Sequence, residues 1–110
     1  MLLSNAGYQV DVAVDGVEAI EKIATKSYDL ILTDLEMPRM HGYELIAEVR
    51  GSPHTRDLPI IVLTSRAGEK HQAKAIELGA DGYIVKPVDE ETLLESVRKL
   101  LSTQTVEIQT

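Results

Sequence analysis

The 110 residues are 44% hydrophobic and 26% charged, which suits one small domain with a real core and leaves no room for two. No cysteine is present, so a disulfide framework and a cysteine-based metal site are both excluded. A formal net charge of -7 argues against binding nucleic acid by phosphate neutralisation and leaves a basic protein partner or a bound cation open.

The chain opens Met1-Leu2-Leu3-Ser4-Asn5-Ala6-Gly7, which reads as the back half of a helix closed by Gly7. Val10, Val12 and Val14 alternate with polar or small residues and predict a strand. Asp15 and Glu18 have capping-box spacing, and Val17, Ile20, Ile23 and Ala24 follow on one helical face. Leu30-Ile31-Leu32 is an unbroken apolar strand running into Thr33 and Asp34. Tyr43, Leu45, Ile46 and Val49 predict a helix that stops near Gly51-Ser52-Pro53. Pro59 opens the strand Ile60–Leu63, Ala67–Leu78 reads as a helix ended by Gly79, and Tyr83–Val85 is a short strand. Asp89 can cap a last helix with Leu93, Leu94, Val97, Leu100 and Leu101 on one stripe. Apolar runs are short and no signal-peptide pattern appears, so the expected setting is cytoplasmic and off the membrane.

Continuous apolar strands are those covered on both faces, as in parallel sheets. Strand alternating with helix predicts a doubly wound α/β fold over residues 1–102, with 103–110 as a tail. Ligand sites in such folds lie beyond the carboxyl ends of the strands. Asp34, Thr64 with Ser65, and Lys86 with Pro87 stand at three successive strand ends. A carboxylate can attack a phosphoryl group and hold it as an acyl phosphate, while a hydroxyl and an ammonium meet the phosphoryl oxygens. A divalent cation would normally complete the neutralisation. Singly, Asp34 could be a turn cap, Thr64 an ordinary strand-end residue and Lys86 a surface lysine.

Three segments carry a resemblance. Thr33-Asp34-Leu35-Glu36-Met37-Pro38-Arg39-Met40-His41-Gly42 resembles the phosphoacceptor segment of two-component response regulator receiver domains. Leu63-Thr64-Ser65 and Gly79-Ala80-Asp81-Gly82-Tyr83-Ile84-Val85-Lys86-Pro87 resemble that family's two downstream motifs. Thirty positions separate Asp34 from Thr64 (64 minus 34) and twenty-two separate Thr64 from Lys86 (86 minus 64). The resemblance covers nearly the whole chain and implies a flavodoxin-like sheet of order 2-1-3-4-5. It implies that Asp34 is the phosphoacceptor, loaded from a phosphohistidine on a histidine kinase or phosphotransfer domain. Thr64 and Lys86 would bind phosphoryl oxygens, and Thr64 and Tyr83 would form the switch that alters a partner-binding face at residues 67–101. Mg²⁺ would be held by Asp34 and the backbone carbonyl of Glu36. Pro38, Gly42 and Pro87 would support the loops, with a cis peptide before Pro87. The run Thr64–His71 is more similar to receivers of chemotaxis-type hybrid kinases than to those of transcription factors. Such a domain is no enzyme beyond handling its own phosphoryl group.

Receivers begin with a strand ending in two adjacent acids that complete the Mg²⁺ site, and no such strand is present here. Truncation is the simplest account, and weak Mg²⁺ binding by this fragment is its expected consequence. The missing strand would be central, leaving an open slot. Thr105-Val106-Glu107-Ile108-Gln109-Thr110 has strand-like alternation. It could fill that slot in its own chain, enter the slot of a neighbour to give a dimer, or merely extend the last helix. Pairing through the open sheet edge is a further route to a dimer.

Two other functions share features of the pattern. A haloacid-dehalogenase-like phosphatase also uses a strand-end aspartate, but wants a second aspartate where Glu36 stands and a later acidic pair that nothing after Lys86 supplies. A pseudo-receiver that never sees phosphate fits the missing acids, yet has no need of Asp34, Thr64, Lys86 and Tyr83 together.

Overall fold

Which residues are apolar on which face decides where each element lies. The computed structural model describes residues 7–36 and 40–101 and the backbone of 107–109. The helical reading of Met1–Ala6 therefore lies outside the described residues, while Gly7 has the left-handed φ of 96° suited to a helix-closing glycine.

Strand β1 is Gln9–Asp11, followed by helix α1, Gly16–Thr25, with Asp15 as N-cap accepting from the Glu18 amide at 2.9 Å. Strand β2 is Leu30–Thr33 and helix α2 is Gly42–Gly51, capped by His41, whose Nδ1 accepts from the Tyr43 amide at 3.1 Å. Strand β3 is Ile60–Thr64, helix α3 Glu69–Leu78, and strand β4 Gly82–Val85. Gly79 ends α3 in the left-handed region, at φ 117°. Helix α4 is Glu90–Leu100, with the Asp89 carboxylate accepting from the Thr92 amide at 3.1 Å, and strand β5 is Glu107–Gln109.

Among the described residues the strand pairs are all parallel and the sheet order is β1-β5-β2-β3-β4. This is the doubly wound order expected, with β5 in the position next to β2 that the resemblance assigns to a first strand. Alternate residues of each strand face opposite sides. Ile31, Ile60 and Val62 join Ala19 and Ile23 of α1, Leu45, Ile46 and Val49 of α2, and Ala75 of α3. Leu30, Leu32 and Ile61 join Leu93, Val97 and Leu101 on the other side, under α4. Every residue of β2 is buried, as a strand covered on both faces requires.

The strand expected over Val10–Val14 is shorter than that reading. Its ladder ends at the register pair Asp11↔Gln109, and the chain then leaves the sheet to reach the Asp15 cap. Val12 and Val14 are 53% and 72% exposed. The helix expected from Ala67 starts at Glu69, because Gly68 takes φ 123°, which is not helical. Leu93, Val97 and Leu101 of the expected α4 stripe are buried, whereas Leu100 is at the surface.

One long-range contact had no sequence signal. Arg50 on α2 donates to the carbonyls of Leu58 (2.6 Å) and Gly79 (2.7 and 3.0 Å), and pairs with Asp81 at 3.0 Å. Asp81 also accepts from the Ile60 amide at 2.8 Å. The turns before β3 and β4 are thereby tied to one side chain. Among the described residues no helix is long and apolar enough to cross a membrane.

Leu30 of β2 is 0% exposed in the cluster under α4. Leu30→Ala is expected to destabilise the fold by about 2–5 kcal/mol, read as a lower urea midpoint.

Candidate functional site at the carboxyl edge of the sheet

Parallel strands bring their carboxyl ends to one edge, and three of the predicted residues meet there. Asp34 follows β2, Thr64 ends β3, and Lys86 follows β4. The register holds them: β3 pairs with β2 through Val62↔Thr33 and with β4 through Thr64↔Val85, and the Lys86 amide donates to the Thr64 carbonyl at 2.8 Å. A cleft of about 230 Å³ opens at this edge, lined by Ala13, Val14, Leu32, Leu63, Asp34 and Lys86.

Asp34 is held on both oxygens. Its Oδ1 accepts from the Leu35 amide at 2.7 Å and the Glu36 amide at 3.3 Å. Its Oδ2 accepts from Lys86 Nζ at 2.8 Å. Burial pushes the carboxyl up, but the Lys86 ammonium and the two amides outweigh it, so Asp34 titrates below its ordinary value. Its side chain remains about a third exposed, so an incoming group can reach it.

Thr64 is fully buried, and its hydroxyl accepts from the Arg66 amide at 3.1 Å. Tyr83 on β4 is partly buried and donates its hydroxyl to the Arg66 carbonyl at 2.6 Å. Burial raises its phenol above the ordinary value. Glu36 receives the Arg66 guanidinium at 2.6 Å, and that contact holds the Glu36 carboxyl low. Arg66 thus contacts Glu36, Thr64 and Tyr83 together. Sequence reasoning assigned it no role. The available signal was its offset, two residues past Thr64 as Glu36 is two past Asp34.

Of the expected loop supports, Gly42 has a clear reason. Its amide donates to the Leu35 carbonyl at 2.7 Å, and a Cβ there would meet the Asp34 carbonyl oxygen at 2.5 Å. A side chain at 42 would push on the residue that carries the carboxylate. The Lys86–Pro87 bond is cis, as the resemblance implies. Pro38 lies outside the described residues.

The donors for a divalent cation are few. Among the described residues no group of three or more His, Asp or Glu could hold a metal ion. Asp34 is paired with Lys86 and the Glu36 carboxylate with Arg66, which leaves the Glu36 carbonyl as the other expected donor. With water filling most of the six oxygen positions around a Mg²⁺ ion, that set offers one carboxylate, already paired with Lys86.

A family model described as the response regulator receiver domain matches residues 1–98. The chain belongs to that family. The receiver domain is 38% identical over 102 residues to the response regulator ArlR of Staphylococcus saprophyticus, covering 93% of this chain and 45% of that protein. It spans less than half the length of the curated relatives ArlR and MprA. Its fold is similar to the signal receiver domain of a histidine kinase from Syntrophus aciditrophicus, with TM-score 0.84 and 36% identity, over 92% of this chain and 76% of that one. It is also similar to the receiver domain of the sensor kinase PA1611 from Pseudomonas aeruginosa, with TM-score 0.84 and 28% identity, over 93% and 84%. That structure has a magnesium ion coordinated in its active site cleft. The receiver domain is therefore a signalling domain of two-component systems rather than a conventional enzyme.

Because Lys86 is the largest of the contacts that offset burial at Asp34, Lys86→Ala is expected to raise the Asp34 pKa, read by carboxyl-carbon NMR titration. An unchanged Asp34 titration would refute that assignment.

Proposed function

We propose that Asp34 is the phosphoacceptor of this receiver domain, taking a phosphoryl group from a phosphohistidine on a histidine kinase or phosphotransfer protein. The observation that supports this reading is the Asp34 carboxylate, held on Oδ1 by two amides and on Oδ2 by Lys86 at 2.8 Å, in an open cleft. At neutral pH the carboxylate is ionised, as an attacking oxygen must be. One carboxylate oxygen attacks phosphorus, the phosphorus–nitrogen bond breaks, and the imidazole nitrogen keeps the electron pair. Lys86 then faces a phosphoryl oxygen in place of a free carboxylate. Thr64 stands at the same edge, and its hydroxyl, which accepts from the Arg66 amide, can turn to donate to a phosphoryl oxygen.

The switch follows from that exchange. Thr64 and Tyr83 both bond to Arg66, so a turn of the Thr64 hydroxyl towards a phosphoryl group changes the partner that holds the Tyr83 ring. The surface at residues 67–101 is the proposed output face, and a kinase partner implies a cytoplasmic setting.

Incubation of the chain with acetyl phosphate at saturating Mg²⁺, followed by mass mapping, is expected to find label on Asp34 and none in Asp34→Asn. Label on Glu36 or Asp15 refutes the assignment.

The sparse donor set favours a second, narrower reading for this chain: its affinity for Mg²⁺ is weak and its phosphorylation correspondingly slow. Isothermal titration should give millimolar or weaker Mg²⁺ binding, and a sub-millimolar constant contradicts it.

A further inference from the structure

The amino edge of the sheet, opposite Asp34, carries a second cavity. It opens between the end of α1 and the loop before β3, with a volume of about 140 Å³. Ile23, Tyr28 and Leu58 give it apolar surface, and Lys26, Ser27 and His54 add polar groups. A groove of about 370 Å³ adjoins it, sharing Ile23 and His54 and continuing past Ile20 and Ala24 to Glu48.

Both walls of the cavity are braced. Asp11 Oδ2 accepts from the Tyr28 hydroxyl at 2.6 Å and from Lys26 Nζ at 3.0 Å. The same ammonium stands 5.6 Å from the centre of the Tyr28 ring. Across the cavity, Arg50 donates to the carbonyls of Arg56 and Leu58 at 2.9 and 2.6 Å. Within that loop the Leu58 amide donates to the Thr55 carbonyl at 2.9 Å, and the Thr55 hydroxyl donates to the Val49 carbonyl at 2.8 Å. Walls held in this way exist before any ligand arrives, as in most small-molecule sites.

The polar groups decide what fits. An ammonium can only donate, so Lys26 calls for an acceptor. Among the described residues the Ser27 hydroxyl and the His54 ring have no hydrogen-bond partner. A guest therefore meets three donors, one of them charged, beside apolar surface. A carboxylate suits that set, because charge-assisted hydrogen bonds are the strong ones. Glu48 at the far end of the groove disfavours a second carboxylate there. We propose that this cavity binds a small monocarboxylate built on a single ring or a short aliphatic chain. Its carboxylate lies against Lys26, Ser27 and His54, and its apolar body between Ile23, Leu58 and the Tyr28 ring. The volume is right for one ring, since an apolar cavity of about 150 Å³ takes up benzene. The proposal is independent of the phosphoacceptor reading.

The test titrates the full chain with sodium benzoate and follows the backbone amides by NMR. Benzyl alcohol serves as the uncharged probe of similar shape. Benzoate is expected to bind saturably with a Kd of about 1 mM, the affinity that a ligand of so few atoms can reach. The shifts should fall on Ile23, Lys26 to Tyr28 and His54 to Leu58, and not on Asp34. Benzyl alcohol, and benzoate with Lys26→Gln, should bind about tenfold more weakly, the loss of one hydrogen bond to a charged group. Lys22→Gln removes the same charge one turn earlier and should change the benzoate Kd by less than about twofold. No saturation by about 20 mM benzoate overturns the proposal. So do equal affinity for benzyl alcohol, equal affinity in Lys26→Gln, an equal loss in Lys22→Gln, and shifts centred on Asp34 and Lys86.

Discussion

A strand in the middle of a parallel sheet has backbone donors and acceptors on both edges, and no water reaches them. Each must find a partner or lose the free energy of a buried unsatisfied group. That requirement governs this molecule. β2 is fully buried, carries Asp34 at its end, and needs a neighbour on each side. β3 supplies one with a register that runs to Thr33, and β5 supplies the other. The two apolar clusters, the helices over them and the position of the carboxyl edge all follow from keeping β2 paired.

The chemistry at that edge is economical in charge. Lys86 and Asp34 neutralise each other at 2.8 Å, and Arg66 and Glu36 do so at 2.6 Å, both pairs partly open to solvent. Pairs of this exposure add little to stability. What they fix is orientation. The Asp34 carboxylate is aligned by two amides that belong to its own loop, and the loop is folded back tightly enough to require glycine at 42.

Much of this was legible from sequence because it rests on local patterns. The apolar runs at Leu30–Leu32 and Ile60–Leu63 could only be covered strands. Asp89 and Gly79 marked helix ends by their own backbone preferences. Asp34, Thr64 and Lys86 were found by position, since each stands at the end of a strand. The alternation of Val10, Val12 and Val14 misled, because a period-two pattern says nothing of where the neighbouring strand stops. Arg50 was invisible for another reason: its carbonyl partner at Gly79 lies 29 positions away, and main-chain acceptors leave no mark in composition. Arg66 was missed similarly, because two of its three contacts use its backbone.

Arg66 has a mechanical consequence. Its amide is the donor for Thr64, its carbonyl the acceptor for Tyr83, and its guanidinium the clasp on Glu36. These three partners come from β3, from β4 and from the loop after β2, yet they share one residue as fulcrum. A small rotation of the peptide planes at Arg66 would reach all three together, without any helix having to travel. The edge of the sheet is geared through a single joint. Its stiffness depends on the backbone of one exposed loop rather than on the core beneath it.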